Sequence, residues 1–306
     1  MKAVVFAYHN VGARCLPILL AHNVEVPLVV THRDNPAENI WFDSVVSVAA
    51  ERGIPAITPD DPNVGEIVTR VRALNPDFLF SFYYRQMLKP LLLAIPKRGA
   101  LNMHGSLLPN YRGRAPVNWA VINGETETGA TLHFMVEKPD AGDIVIQQAV
   151  PILPNDTALE VFNKVTAAAA QALDHSLPGL LAGTAPRTPQ DLSKGSYFGA
   201  RKPEDGRIDW SWPAARIHNL VRGVAPPYPG AFSTINGKTL RVLKTQFSAR
   251  AAADREIPAL YCDSDHFYAL CGDGQTLELL QLELDGVPCT PAALQRELIS
   301  TTYNPA

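Results

Sequence analysis

The first half of the chain alternates short apolar runs with amphipathic segments, and this order constrains the fold more than any other feature. The predicted buried strands are 3–7, 26–31, 55–58, 78–82 and 99–104. The predicted helices are 11–21, 42–52 and 65–74, and Pro17 weakens the first because proline lacks the N–H that a helix interior uses. This order predicts a mostly parallel sheet with helices on both faces.

The second half of the chain changes from α/β to β-rich. Two further strands are predicted at 128–136 and 144–150, followed by an Ala-rich helix at 157–177 and a linker at 178–193. From about Tyr197 the β-type runs are shorter, at 238–245, 259–261, 267–271 and 276–282. A chain of 306 residues is too long for one core of the usual size. We therefore expect an α/β, Rossmann-like domain over residues 1–190 and a smaller β-rich, OB-like barrel domain over residues 200–306.

Composition and charge argue against several classes of protein. The formal net charge is −3, so no general affinity for nucleic acid is implied. The four cysteines show no CxxC or metal-site spacing, which indicates free thiols in a reducing compartment. No apolar run is long enough to span a bilayer, and no signal peptide is visible. We expect a cytoplasmic protein without membrane insertion and without a metal.

The segment 101–109, Leu-Asn-Met-His-Gly-Ser-Leu-Leu-Pro, is the most informative for chemistry. Residues i and i+2 of a strand point to the same face, so Asn102 and His104 are expected side by side near the carboxyl end of a strand. Open α/β sheets bind their ligands just beyond those ends. An asparagine amide can stabilise a developing oxyanion, and a histidine can move a proton near neutral pH. Asp140, in the loop 138–143, is the candidate partner that fixes the histidine tautomer.

By itself, an Asn-x-His pair is too short to be specific. A solvent-facing asparagine and a structural histidine at a strand end would give the same pattern. The other seven histidines are scattered and form no metal spacing. Tyr8, His9 and the run 82–85, Phe-Tyr-Tyr-Arg, also follow strand ends, where they either line a pocket or pack in the core.

A long loop and several further motifs make the pattern specific. The loop 104–116 holds two glycines, two prolines and two arginines, and long loops at this position of an α/β domain are often functional. The runs 102–109, 112–116, 129–131 (Gly-Ala-Thr) and 140–144 (Asp-Ala-Gly-Asp-Ile) together resemble the signature of the folate-dependent formyltransferases. The resemblance continues to Trp-Pro-Ala at 212–214 and Pro-Tyr-Pro-Gly-Ala at 227–231, and so covers nearly the whole chain.

This resemblance implies an enzyme that uses N10-formyltetrahydrofolate as its formyl donor. Asn102 would stabilise the tetrahedral oxyanion, His104 would act as acid and base, and Asp140 would orient and tune His104. For Arg112 the pattern leaves open a ligand contact or a solvated loop charge. The residues implied in binding the donor are Gln86, Met87, Leu88, Arg114, Val136, Glu137, Lys138 and Pro139.

The charge pattern bears on which amine is formylated. Methionyl-tRNA formyltransferases carry a basic insertion after the second strand. The equivalent segment here, 31–43, holds one arginine, no lysine and three acidic residues, so it cannot neutralise many phosphates. Residues 201–306 hold 11 lysines and arginines against 12 aspartates and glutamates, which gives no basic surplus for a tRNA.

Four runs narrow the resemblance further. Residues 6–9, 31–36, 81–85 and 123–129 are most similar to the formyltransferase domain of the enzymes that modify UDP-4-amino-4-deoxy-L-arabinose for lipid A, a modification that gives polymyxin resistance. Those enzymes carry a dehydrogenase/decarboxylase domain that this sequence does not contain, so we expect that activity on a separate chain. The expected partners are a folate and a nucleotide amino sugar, with no nucleic acid.

Other functions stay open at this point. Within the family they are a dTDP-amino-sugar N-formyltransferase and a methionyl-tRNA formyltransferase. Outside N-formyl transfer they are a hydrolase that releases formate from the same donor and a non-catalytic ligand-binding protein. The complete set of Asn102, His104 and Asp140 argues against the last of these.

Overall fold

The structure is a computed structural model that describes residues 1–249, 257–263 and 265–299. The chain divides into two compact units. Unit 1 comprises residues 1–116, 127–151 and 162–199, and unit 2 comprises residues 117–126, 152–161 and the described residues from 200 onward. Within the described ranges, no helix combines the length and the apolar character needed to cross a membrane.

Up to residue 199 the elements follow the predicted order with small shifts at their ends. The additional strands and α-helices are two strands of two residues each, a helix of four residues, and a helix of seven residues that follows the long loop. The elements are β1 (Lys2–Ala7), α1 (His9–Ala21), β2 (Glu25–Val30), α2 (Val45–Ala50), β3 (Ala56–Ile57), α3 (Gly65–Ala73), β4 (Phe78–Phe82), α4 (Pro90–Leu93), β5 (Gly99–His104), β6 (Arg112–Gly113), α5 (Pro116–Ile122), β7 (Glu127–Phe134), β8 (Ile144–Pro151), α6 (Ala158–Ala182) and β9 (Tyr197–Phe198).

Unit 1 is built on one seven-stranded sheet, in the order β3-β2-β1-β4-β5-β7-β8. The first five strands in this order are parallel to one another. β7 runs antiparallel to β5, and β8 runs antiparallel to β7. The predicted Rossmann-like, mostly parallel sheet is therefore confirmed. Because the five parallel strands share a direction, their carboxyl ends lie along one edge, where such sheets bind ligands.

Strand β4 lies at the middle of this sheet, and all five of its residues are buried. Its phenylalanine side chains alternate with smaller ones, so Phe78, Phe80 and Phe82 share one face. Neighbouring ring centroids in this row are 5.7 and 5.6 Å apart. On the other face Leu79 packs in a core with Phe6 and residues of α3. A run that is buried on both faces is what a central parallel strand requires.

Helix α1 continues through Pro17 and ends at Ala21. The missing N–H removes one hydrogen bond of the helix, but the helix buries Val11, Cys15, Leu16 and Leu19. Burying each such side chain contributes about 1.5–3 kcal/mol, so the packing outweighs the lost bond. Tertiary contacts therefore override the local preference at this proline.

The linker predicted at 178–193 is wrong in its first part, because α6 continues through Pro178 to Ala182. Leu177 and Leu180 are buried and hold this last turn in place. Further along, the backbone of Thr188 exchanges hydrogen bonds of 2.9 and 2.8 Å with the backbone of Ile144. These residues are therefore packed structure in unit 1.

Unit 2 contains α7 (Ala214–Val224), β10 (Ala231–Ile235), β11 (Lys238–Ser248), β12 (Ala259–Asp263), β13 (His266–Leu270), β14 (Thr276–Leu284), β15 (Val287–Pro288) and α8 (Pro291–Ile299). The strands form one antiparallel sheet, β10-β11-β14-β13-β12, with β15 added to β14. Register shifts between β11 and β14 add the bend that a curled sheet needs. Ile217 and Val221 of α7 share a core with Val242 of β11. The predicted smaller β-rich domain class is confirmed.

The packing of β4 predicts a large effect of a single truncation. Phe80 is fully buried between two other rings, so Phe80→Ala should lower the free energy of unfolding by about 3–5 kcal/mol. Urea unfolding followed by circular dichroism measures this loss. Phe247→Ala removes the same atoms from a half-exposed position on β11 and should cost less than about 1 kcal/mol. Equal losses in the two variants would contradict the assignment of β4 to the core.

Candidate active site

Asn102 and His104 lie on β5 as the sequence predicts, one residue apart in the i, i+2 relation that gives them the same face. His104 is the last residue of the strand and only 6% exposed. The neighbouring strands β4 and β7 hold β5 on both sides, so the backbone at the two residues is fixed by sheet hydrogen bonds. Two polar side chains are thereby positioned at the ligand-binding edge of the sheet.

Asp140 reaches both residues. Its Oδ1 lies 3.5 Å from His104 Nδ1 and 3.5 Å from Asn102 Nδ2. Its Oδ2 accepts a hydrogen bond of 2.9 Å from the backbone N–H of Gly113. The three residues that the sequence singled out are therefore brought together, although they are 38 positions apart at most.

His133 is a fourth member that the sequence reasoning missed. It is directly opposite Asn102 in the register of β5 and β7, and its side chain is buried. Its Nδ1 donates to the Phe134 carbonyl at 2.8 Å, which leaves Nε2 to accept from Asn102 Nδ2 at 3.2 Å. Nε2 is also 3.6 Å from Asp140 Oδ1. A scattered histidine gave no signal in one sequence, and only strand pairing brings it beside Asn102.

The charge of Asp140 is set by these neighbours. Burial by itself raises the pKa of a carboxylate, because it disfavours the charged form. The attraction of His104, the adjacent His133 side chain and the Gly113 N–H outweigh burial, so the pKa of Asp140 is held well below its ordinary value of 3.8. Asp140 is therefore an ionised acceptor throughout the physiological range, able to hold the Nδ1 side of the His104 ring.

The other ring nitrogen of His104 faces the loop 104–116. Nε2 donates to the carbonyl of Tyr111 at 2.8 Å. The hydroxyl of Ser106 donates to the Asn110 carbonyl at 2.6 Å, closing the same turn. Thr131, opposite His104 on β7, donates its hydroxyl to the Ser106 carbonyl at 2.6 Å. The imidazole thus lies between a carboxylate and a carbonyl, and Nε2 is the nitrogen on the side away from Asp140.

Residues 196–198 pack against the loop 104–116. The Ser196 hydroxyl accepts from the Tyr111 N–H at 2.8 Å, and the Tyr111 and Phe198 rings stack with centroids 5.1 Å apart. β9 pairs with β6 in parallel, so Gly113 is opposite Phe198. A Cβ at Gly113 would overlap the Phe198 carbonyl, and its φ is +97°. This position requires glycine because the backbone approaches too closely for any side chain.

Several non-glycine residues around the site have left-handed backbone angles. Tyr111, Ala115 and Asp140 have φ of 55°, 50° and 52°. Tyr83, which follows β4, has φ of 55°. Such angles are unusual outside glycine and asparagine, and they concentrate where the surrounding structure fixes a functional geometry. The loop is therefore held in a shape that its local preferences would not choose.

The two loop arginines have different environments. Arg112 is buried at 8% exposure, so it is not a solvated loop charge. Arg114 is exposed, and its Nη2 donates to the carbonyl of Arg85 at 3.0 Å. This bond connects the loop after β5 with the segment after β4. Arg114 therefore lies at the ligand-binding edge, next to the residues that follow Arg85.

The predicted donor-binding residues Gln86, Met87 and Leu88 follow β4. Leu88 is buried, whereas Met87 is half exposed. Asn63 was not singled out by the sequence, yet it clamps this segment: its Nδ2 donates to the Met87 carbonyl at 3.0 Å, and its Oδ1 accepts from the Lys89 N–H at 2.7 Å. An exposed thioether on a fixed backbone is thereby presented at the edge of the sheet.

The second predicted donor-binding segment, Val136, Glu137, Lys138 and Pro139, leads directly into Asp140. Val136 is an exposed apolar side chain, and Glu137 and Lys138 are exposed. Gln190 fixes the loop by donating Nε2 to the carbonyls of Asp140 and Gly142 at 3.2 and 2.6 Å. Within the part of the chain that the structure describes, no group of three His, Cys, Asp or Glu side chains is arranged to hold a metal ion.

The depressed pKa of Asp140 predicts a pH-dependent contribution to stability. In the unfolded chain the pKa of Asp140 is near 3.9, so the ionised carboxylate stabilises the fold fully above that pH. The stabilisation is lost as the pH falls through the lower pKa of the folded state. Asp140→Asn should therefore lower the free energy of unfolding by about 1.5–3 kcal/mol at neutral pH, and by less below about pH 4. Urea unfolding between acidic and neutral pH measures the loss at neutral pH and its decrease at low pH. Asp143→Asn, in the same loop, is the control, and an equal loss at every pH would contradict the role of the Asp140 charge.

Several solved structures share the fold of this chain. An N-formyltransferase from Helicobacter canadensis, in complex with folinic acid and dTDP-3-aminofucose, is 20% identical, with 91% of this chain and 98% of that chain covered and a TM-score of 0.70. WlaRD, a sugar 3N-formyl transferase solved with dTDP and 5-N-formyl-THF, is 19% identical, with 91% and 96% covered and a TM-score of 0.71. HypX from Aquifex aeolicus, in complex with tetrahydrofolic acid, is 17% identical, with 91% and 43% covered and a TM-score of 0.62. At these identities the likeness shows a common fold.

The sequence family provides the stronger evidence. The formyl transferase family matches residues 12–177, which include β5, β7 and the loop with Asp140. The C-terminal domain of formyl transferases matches residues 201–295. Because the first match alone covers more than half of the chain, this protein belongs to the formyl transferase family.

Proposed function

We propose that this protein transfers a formyl group from N10-formyltetrahydrofolate to the amino group of a nucleotide-linked amino sugar, with UDP-4-amino-4-deoxy-L-arabinose as the acceptor. The observation that carries the reaction type is the arrangement of an amide donor, a histidine and an ionised carboxylate within 3.5 Å contacts at the ligand-binding edge of the sheet. These are the groups that formyl transfer to an amine requires.

Each group has a defined task in this mechanism. The unprotonated amine attacks the formyl carbon, and the formyl oxygen gains negative charge as the carbon becomes tetrahedral. Asn102 Nδ2, oriented by His133, donates a hydrogen bond to that oxygen. His104 Nε2, which carries a hydrogen in the structure, gives that proton to the departing N10 of the folate as the C–N10 bond breaks. The ring then takes the proton that the attacking amine loses, so the new C–N bond is kept.

The positions of Asp140 and Tyr111 indicate which nitrogen of His104 transfers the proton. Asp140 lies on the Nδ1 side of the ring, so Nε2 is the nitrogen that faces the reacting groups. Nε2 donates to the Tyr111 carbonyl at 2.8 Å, a bond that the substrate has to replace. Catalytic hydrogen bonds commonly rearrange in this way when the reacting complex forms.

The chemistry of the exposed side chains fits a folate. Met87 and Val136 present apolar surface, at 52% and 46% exposure, near polar backbone groups of two fixed segments. A flat heterocycle with several donors and acceptors matches such a combination of apolar walls and backbone partners. The proposed donor-binding set is the one expected from the family, Gln86, Met87, Leu88, Arg114, Val136, Glu137, Lys138 and Pro139.

The acceptor is supported by charge and by the solved relatives. The segment 31–43 and the C-terminal region have too few surplus cations to hold a tRNA. Two of the similar structures are a sugar 3N-formyl transferase and an N-formyltransferase bound to dTDP-3-aminofucose. UDP-4-amino-4-deoxy-L-arabinose is preferred over a dTDP sugar because of the resemblance of the runs 6–9, 31–36, 81–85 and 123–129.

The catalytic roles predict large losses of turnover without loss of the fold. His104→Ala and Asn102→Ala should each lower kcat by about 10²–10³ or more, because each removes a group that acts in the transition state. Steady-state assays with formyltetrahydrofolate and the amino sugar measure this, with circular dichroism as the folding check. His175→Ala, an exposed histidine on α6, should keep full activity. Near-normal turnover in either site variant would exclude that residue from the mechanism.

The acceptor class predicts a sharp difference among three substrates. Mass spectrometry of products should find formylation of UDP-4-amino-4-deoxy-L-arabinose, with less on a dTDP-amino sugar and little or none on methionyl-tRNA. A tRNA would be held by many phosphate contacts, which this chain lacks in the segment 31–43. Efficient formylation of methionyl-tRNA with no amino-sugar product would overturn the acceptor and leave the site chemistry intact.

A further inference from the structure

Arg112, in the loop 104–116, is a buried cation. Only 8% of the residue is exposed, and its Nε is enclosed without a hydrogen-bond partner. Among the residues that the structure describes, its guanidinium forms no hydrogen bond, ion pair or aromatic contact. A charge removed from water is costly unless an opposite charge or hydrogen bonds compensate it. Arg112 therefore requires an acceptor that the described residues do not supply.

Two other arginines of unit 1 show how such a cation is normally compensated. Arg98 donates Nη1 to the carbonyl of Leu181 at 2.6 Å. The guanidinium of Arg187 lies over the Phe134 ring, 3.7 Å from its centre. Both arginines are more exposed than Arg112, so water also solvates them. The most deeply buried of these three cations is thus the one without a partner among the described residues.

The backbone of Arg112 is fixed at the catalytic site. Its N–H donates to the carbonyl of Ser196 at 3.0 Å, within the pairing of β6 and β9. The residue before it, Tyr111, accepts from Nε2 of His104, and the residue after it, Gly113, donates to Asp140. Residue 112 therefore lies between the two backbone groups that contact the proposed catalytic pair. A ligand that holds Arg112 also holds those two contacts.

The guanidinium has the chemistry of an oxyanion receptor. Its terminal nitrogens, unlike Nε, are not among the enclosed polar atoms, so the tip of the side chain is open. A planar guanidinium offers parallel N–H groups that match two oxygens of a carboxylate or a phosphate. Because so little of the residue is exposed, the group that reaches it is a small anion or the end of a longer ligand.

We propose that Arg112 anchors an oxyanion site in the loop 104–116 and takes a carboxylate or a phosphate group. One source of this group is a free inorganic anion. The other is the glutamate of the folate donor, which carries two carboxylates, and this source rests on the proposed function. The donor is a source because Arg114 and the segment 136–139, both near Arg112 in the loops of the site, belong to the proposed donor-binding set.

The first test asks whether Arg112 has a partner within the chain. Arg112→Met keeps the apolar stem and removes the charge, so in a Tris chloride buffer its melting temperature should equal or exceed that of wild type. Arg98→Met is the control and should melt at a lower temperature, because it loses the bond to Leu181. A clearly lower melting temperature in Arg112→Met would show that the chain itself compensates the charge, and the proposal would be wrong.

The second test measures anion binding by calorimetric titration of the full chain with inorganic phosphate and with folinic acid. At least one of the two should bind about tenfold or more weakly to Arg112→Met. Arg112→Lys should recover part of this loss, because it keeps the charge but not the planar fork. Arg52→Gln, which removes an exposed arginine paired with Glu51, should bind both probes as wild type does. Unchanged affinity of Arg112→Met for both probes would exclude the site.

A truncated folate distinguishes the two sources. If the glutamate is the ligand, 5-formyltetrahydropteroate, which lacks it, should bind wild type and Arg112→Met equally, whereas folinic acid should lose affinity in the variant. If the ligand is a free anion, phosphate binding alone should depend on Arg112. Equal weakening of folinic acid and its truncated form would mean that Arg112 acts on the loop and not on an oxyanion, which contradicts the proposal.

Neither test uses the acceptor, so the inference and the proposed function can fail separately. If anion binding depends on Arg112 but no amino-sugar nucleotide is formylated, the proposed acceptor is wrong and the oxyanion site stands. If an amino-sugar nucleotide is formylated and Arg112→Met binds phosphate and folinic acid as wild type does, the oxyanion site is wrong and the proposed function stands.

Discussion

The buried carboxylate of Asp140 is the interaction on which the rest of the site depends. Its side chain is only 14% exposed, and its two oxygens are surrounded by His104, Asn102, His133 and the Gly113 N–H. These partners come from β5, β7 and the loop after β5. A buried charge that loses its partners costs several kcal/mol, so the carboxylate holds the three segments in one arrangement. The same charge that stabilises the loop also orients the imidazole.

The strand order places two groups of proposed site residues along one edge of the sheet. The proposed catalytic residues Asn102 and His104 lie near the end of β5, and the proposed donor-binding segment 86–88 follows β4. Arg114 and Arg85, joined through a backbone carbonyl, connect the two regions. A rigid parallel sheet keeps these distances constant, whereas the loops that carry the side chains can differ between members of the family.

The site was predictable in the parts that follow from local geometry or from the family resemblance. Asn102 and His104 share a face because strand periodicity is fixed, and this holds in any sheet. Asp140 was a candidate partner from its loop, the resemblance implied the same role, and the fold brings it to 3.5 Å from His104. His133 and Ser196 were missed, since each acts through a neighbour remote in sequence. A single sequence does not show which strands pair with each other. It also does not show that residues 196–198, which follow the predicted linker, pack against the loop 104–116.

The sequence by itself determined the alternation of strands and helices, the β-rich second domain, the family and the type of chemistry, because these follow from hydrophobic periodicity and from contiguous motifs. The tertiary structure decided the rest. It carried α1 and α6 through Pro17 and Pro178, since buried side chains outweigh one lost hydrogen bond. It also brought His133 of β7 beside Asn102 and Asp140. Contacts between residues far apart in the chain depend on how whole helices and strands pack. The local conformational preference of each residue therefore does not predict them.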